Sequence, residues 1–188
     1  MEKNEQLQFV EMKFPEDKEQ IGTWEQLYKD TEGMKQIEEF ILENSLIFNL
    51  GKVIETNYEI FPIGDNEIKK AYVAKKEDGE IVSFVIFDVF DMHKKKPTMI
   101  IQYVVVNPKY QGIGYGAQTL STLLHEVKNI SGVQPYEFYS YINQKNYNSQ
   151  KLFLRSGFEL NLVRNSEYFR AGATLPMLEK AESGYQPE

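Results

Sequence analysis

The sequence predicts an α/β fold, and three observations carry that prediction. Residues 71–76 and 80–90 are two strand-like runs joined by Glu77-Asp78-Gly79, the spacing of a β-hairpin. Residues 100–106 (IIQYVVV) are β-branched and aromatic, which suits a buried strand. Past a glycine-rich turn, Leu120, Leu123, Leu124 and Val127 recur at helical spacing. With 188 residues, 41% hydrophobic and 26% charged, the chain is long enough for one domain with a substantial core.

The elements follow in chain order. Residues 7–14 can form a first strand, closed by Pro15. Thr23-Trp24-Glu25-Gln26 has the form of a capping box, which predicts a helix over about 24–29. A second helix is expected over 34–43, with Ile37, Phe40 and Ile41 on one face. Residues 44–65 carry no clear period: an apolar run that turns at Gly51, a loosely extended 53–61, and a turn from Pro62. The hairpin comes next, its second arm (EIVSFVIFDVF) apolar enough for a central strand. Residues 91–97, with Lys94-Lys95-Lys96, read as a solvated crossing.

Ser131-Gly132 ends the central helix. Residues 136–142 alternate as a strand, 143–147 form a loop, and 148–156 a short helix stopped by Gly157. A strand over 158–163 and residues 167–170 can pair as an edge hairpin. One domain is expected over 1–170, followed by a partly mobile C-terminal tail over 171–188, rich in Gly, Pro, Ser and Glu.

Composition excludes several kinds of chemistry. No cysteine means no disulfide, no thiolate nucleophile and no cysteine metal site, and two histidines far apart do not suggest zinc. His93 reads as a surface loop residue and His125 as half-buried helix packing. No metal is expected. A net charge of −7 argues against nucleic acid and suits a cationic acceptor. No stretch has the length of a membrane span or the core of a signal peptide, so a cytoplasmic protein without a membrane partner is expected.

The chemistry is concentrated between the strand at 100–106 and the helix after it. Asn107-Pro108 breaks the strand, and Gln111-Gly112-Ile113-Gly114-Tyr115-Gly116 leads into the helix. Glycines let the backbone approach closely, and the free amides of the first helical turn favour a phosphate. A P-loop is excluded because no Gly-Lys-Ser/Thr follows. A dinucleotide fingerprint fits Gly112-x-Gly114-x-x-Ala117, but residues 107–111 separate strand from glycine, and too little chain follows for further βα units. A glycine turn with no ligand is the plain alternative.

The pattern Val106-x-Pro108-x-x-Gln111-x-x-Gly114-x-Gly116 resembles motif A of the GNAT superfamily of N-acetyltransferases. Downstream, Asn146-x-x-Ser149-x-x-x-Phe153-x-x-x-Gly157-Phe158 resembles that family's motif B. The likeness covers about residues 68–165. It implies a mixed, mostly antiparallel central sheet flanked by helices, and acetyl-coenzyme A as co-substrate. The acetyl group would pass to a primary amine, carried by a small molecule or a peptide, by direct attack in a ternary complex.

By the same resemblance, the backbone of Gln111, Gly112, Ile113, Gly114, Tyr115, Gly116 and Ala117 takes the pyrophosphate. Val104, Val105 and Val106 lend backbone groups to the pantetheine arm, which lies where their strand splays from 136–142. Asn146 contacts that arm, although a helix-capping role suits it equally. The helices after Trp24 wall the acceptor site, and a lysine of 94–96 can approach the adenosine phosphate. Many relatives carry a glutamate in mid-strand where Gln102 and Tyr103 stand, so these two, or backbone carbonyls, are the candidates for relaying the amine proton through a water. Asp88, Asp91 and His93 lie just upstream and can reach the cleft. Phe153 occupies a position where many relatives have a proton-donating tyrosine, which leaves Tyr141, with Tyr147, as the nearest substitute. Phe153 also motivates the alternative of a coenzyme A-binding module that regulates or scaffolds without turnover. A homodimer is compatible with the resemblance.

Overall fold

The computed structural model describes residues 7–13, 16–24 and 67–184, and the elements are numbered among those residues. They are β1 (Gln8–Glu11), α1 (Glu16–Gly22), β2 (Glu67–Lys75), β3 (Ile81–Phe90) and β4 (Thr98–Val106). After a 3-10 turn at Pro108–Tyr110 come α2 (Tyr115–Ser131), β5 (Glu137–Asn143), α3 (Tyr147–Arg155), β6 (Glu159–Leu162), β7 (Tyr168–Thr174) and α4 (Leu175–Gly184). The helix expected over 34–43, the segment 44–65 and most of the helix expected over 24–29 lie outside the described residues. Trp24 itself is helical.

The seven strands form one sheet in the order β1-β2-β3-β4-β5-β7-β6. It is mixed and mostly antiparallel, as expected. The pairs β1–β2, β5–β7 and β6–β7 are antiparallel, while β4–β5 is parallel. Described residues group into two compact units: 7–13, 16–24, 70–86 and 103–119 in one, 67–69, 87–102 and 120–184 in the other.

The first unit is built on an apolar cluster of Met12, Ile21, Trp24, Ala71, Val73, Ile81, Phe84 and Ile86, against which Val10, Tyr103 and Val105 pack. Alternation along β2 places Ala71 with Val73 on one face, and along β3 it does the same for Phe84 and Ile86. Trp24 and Phe84, both fully buried, meet with ring centroids 6.1 Å apart. Helix α1 is tied down by polar contacts: buried Asp17 accepts from the Lys13 amide at 2.8 Å and pairs with Lys75. The Thr23 hydroxyl turns back to the Gln20 carbonyl at 2.7 Å, serving the end of α1.

In the second unit β5 pairs with β7 along its whole length, from Glu137↔Thr174 to Asn143↔Tyr168. Phe138, Ile142, Phe153, Phe158, Ala171 and Leu178 are buried. Lys94 pairs with Asp91 at 2.8 Å and Lys96 lies 4.6 Å over the Tyr136 ring, so the lysine run is an exposed crossing.

The hairpin of β6 and β7 forms at one edge of the sheet, as expected, with β7 beside β5 and β6 outermost. Two expectations are corrected. The segment from Ala171 is not a tail: Ala171–Thr174 completes β7, and Leu175–Gly184 is α4, with Leu178 buried. Pro176 sits in the first turn of that helix, where its missing N–H costs nothing. His125 is exposed, not half-buried.

Candidate functional site

The glycine-rich turn belongs to the first unit, and its anchoring is local. The Asn107 amide donates to the Val82 carbonyl at 2.8 Å, and its side-chain oxygen accepts from the Lys109 amide at 3.1 Å. Tyr110 donates its hydroxyl to Glu80, and its ring takes the Lys76 ammonium at 4.6 Å and the edge of Tyr115 at 5.8 Å. The bond to Glu80 favours the neutral phenol and pushes the Tyr110 pKa up, with burial adding to it. A buried hydroxyl pair, Ser83 with Thr119, ties β3 to the first turns of α2.

From this anchored base the turn rises into solvent. Gly112 (φ +82°) and Gly114 (φ +101°) are both left-handed, a region that excludes most side chains. Residues 111–114 and Ala117 are exposed, Ile113 to 61%. The helix begins its own bonding only at the Gln118 amide, which donates to Gly114 at 3.0 Å. Among the described residues the amides of Gly112 to Ala117 therefore make no hydrogen bond, and they stand at the positive end of a 17-residue helix. Unbonded amides at a helix start can receive an anion, the role expected of this turn from its spacing. The Gln111 side chain reaches back toward the Val106 carbonyl at 3.5 Å. Along the end of β4, Tyr103 and Val105 face the apolar cluster, so Val104 and Val106 alternate to the other face.

In the second unit the parallel ladder of β4 and β5 runs from Thr98↔Glu137 to Ile100↔Tyr139 and stops. Beyond it the Ser140 hydroxyl takes the Ile101 carbonyl at 2.9 Å in place of a ladder amide. The backbone ladder therefore ends at Ile100, with a side-chain contact one residue further on. Gln102 lies just past that point, is exposed, and donates its side-chain NH2 to buried Asp88 at 2.6 Å. Burial pushes the Asp88 pKa up, while Gln102 and Lys69 oppose the rise. The Lys69 ammonium is 3.7 Å from the other carboxylate oxygen. No sequence pattern singled out Lys69; its contact with Asp88 exists only once β2 is placed.

Tyr141 is 57% exposed and lines a shallow groove with Asn161, Leu162, Val163 and Arg170. Asn146 caps α3, its side-chain oxygen accepting from the Ser149 amide at 3.1 Å. Phe153 is buried edge-on against Phe158, with centroids 5.0 Å apart. The structure thus gathers Tyr103, Val104, Val105, Val106 and residues 111–117 in one unit, and Gln102, Tyr141 and Asn146 in the other. No group of His, Cys, Asp and Glu able to hold a metal occurs among the described residues. No described helix is long and apolar enough to cross a membrane.

The model of the acetyltransferase (GNAT) family matches residues 24–158. No curated protein matches the sequence. Among solved structures, the chain is similar to spermidine N-acetyltransferase from Vibrio cholerae in complex with CoA and spermine, at 12% identity and TM-score 0.57, covering 93% of this chain and 98% of that one. PaiA N-acetyltransferase from Thermoplasma acidophilum in complex with coenzyme A aligns at 13% identity and TM-score 0.58, over 90% and 99% of the two chains. PH1933 from Pyrococcus horikoshii OT3 aligns at 20% identity and TM-score 0.56, over 90% and 98%. At these identities the likeness is one of fold.

Proposed function

The chain belongs to the GNAT family of acetyltransferases, and from that premise we propose that it transfers an acetyl group from acetyl-coenzyme A to a primary amine. The observation that carries the reading is the cradle: exposed, unbonded amides from Gly112 to Ala117, two left-handed glycines, and a helix start behind them. Such a site holds a pyrophosphate through backbone donors that no side chain has to supply. The end of the β4–β5 backbone ladder at Ile100 also supports it. The neighbours solved with CoA, spermine or coenzyme A make an acyl-coenzyme A and an amine the natural pair to test.

The reaction is direct. The amine nitrogen attacks the thioester carbonyl, the C–N bond forms, the C–S bond breaks, the nitrogen loses a proton and the thiolate gains one. Val104 to Val106 and the cradle hold the donor. Gln102 and Tyr103 stand nearest the amine in this reading, and Tyr141, exposed and hydroxylated, is the proton donor that Phe153 cannot be. Asn146 keeps its side-chain NH2 for the donor while its oxygen caps α3. A small-molecule or peptide amine acts as acceptor.

The experiment is calorimetry with acetyl-coenzyme A, paired with thiol release against a panel of amines. Gly114→Glu is expected to abolish binding in a folded protein, since a carboxylate would intrude on the pyrophosphate and φ of +101° disfavours any side chain. Unchanged affinity in that variant would remove the cradle assignment. Binding without thiol release against any amine would favour the second reading, a coenzyme A-binding module, which buried, hydroxyl-free Phe153 motivates.

A further inference from the structure

Two carboxylates are buried among the described residues, Asp17 and Asp88. Asp17 has structural work at both oxygens, one on the Lys13 amide and one on Lys75. Asp88 does not. Its Oδ2 accepts from Gln102 Nε2 at 2.6 Å, but its Oδ1 is buried without a hydrogen bond, the Lys69 ammonium standing 3.7 Å away. A charge kept in that state costs the fold stability, and such a group calls for a reason other than packing.

The effect of Asp88 is felt at Gln102. A primary amide has a donating end and an accepting end of nearly equal size, and it exchanges them freely unless a neighbour tells them apart. An ionised carboxylate only accepts. Nε2 of Gln102 must therefore face Asp88, and Oε1 must face away. Gln102 is exposed, lies just past the last β4–β5 ladder pair, and its side chain makes no other hydrogen bond among the described residues.

We propose that Asp88 is a positioning residue that holds the Gln102 carbonyl outward as the hydrogen-bond acceptor for the N–H groups of the incoming amine. This rests on the acetyltransferase reading. A carbonyl oxygen accepts from an ammonium and, more weakly, from a neutral amine, so the acceptor keeps one N–H contact as it gives up its proton. That contact fixes one N–H of the amine. The Lys69 ammonium, 3.7 Å from the Asp88 carboxylate, offsets part of its charge.

The test is steady-state kinetics and NMR on the full chain with n-butylamine, spermidine and a lysine-containing peptide. Gln102→Leu is expected to raise the amine KM by about 3–10-fold, the worth of one hydrogen bond, with the acetyl-coenzyme A KM unchanged. Asp88→Asn lets the amide flip and is expected to raise the same KM by a smaller factor. Asp88→Asn added to Gln102→Leu should do nothing more, a non-additivity that general loosening of the fold does not produce. Without turnover, the Gln102 side-chain NH2 should exchange with solvent roughly tenfold more slowly in wild type than in Asp88→Asn. Its resonances should also shift when amine is titrated onto the coenzyme A complex. Amine-induced shifts without turnover would uphold this inference and overturn the enzymatic reading. Turnover with an amine KM indifferent to both substitutions, or an amide that exchanges equally fast in both proteins, would overturn the inference and leave the enzyme standing.

Discussion

Phe153 shows how far a single side chain was legible. Its register, midway between Ser149 and Gly157, predicts a packing residue on α3, and it is 3% exposed against Phe158. Phe153→Ala is expected to destabilise by about 3–5 kcal/mol, read as a fall in Tm. Phe153→Tyr should cost about 1–3 kcal/mol where the new hydroxyl finds no partner. A rise in turnover with that variant would show instead that the hydroxyl reaches the leaving thiolate. Asp88 is the opposite case: fourteen residues separate it from Gln102, and only the pairing of β3 with β4 brings them together. Its raised pKa also has a consequence for pH. Burial makes the ionised form costlier folded than unfolded, so its penalty is absent below the unfolded pKa and complete once pH has risen through the folded one. The Tm of Asp88→Asn relative to wild type should therefore climb as pH rises through that window and level off above it. Melting curves from acid to neutral pH check the sign.

Among the elements, those whose signals are local were the ones legible in sequence. The hairpin of β2 and β3, the break at Asn107-Pro108, the glycine-rich turn and the start of α2 all follow from neighbouring residues, because turn glycines and proline act on their own backbone. Helix α4 was hidden for the same reason in reverse: Pro176 and Gly184 look like breakers, and only its position shows that one opens the helix and the other ends it. What holds α4 is Gly157. Its φ is +87°, and a Cβ there would lie 2.8 Å from Ala181 Cβ. Gly157→Ala is expected to cost more than the roughly 1–2 kcal/mol of the left-handed conformation alone, because α4 must also move. A Tm within a degree of wild type would mean that α4 yields without loss.

For the whole molecule, the class of sheet was legible from the two motifs and their order, and the acidic balance set the expectation of an amine rather than a nucleic acid. Strand order was not legible. Periodicity says which face of a strand is buried but not which neighbour it takes, so the insertion of β7 between β5 and β6 had no signal in the chain. That insertion also bears on how the protein is made. Strand β6 leaves the ribosome before β7, yet it has no place to dock until β7 has paired with β5. Throughout the synthesis of residues 144–167, the nascent chain carries β5 with one edge bare. The glycine-rich turn at 111–117, by contrast, is already translated. Termination between residues 144 and 167 would therefore release a polypeptide with its glycine-rich turn complete and an edge of β5 open to whatever strand it meets first.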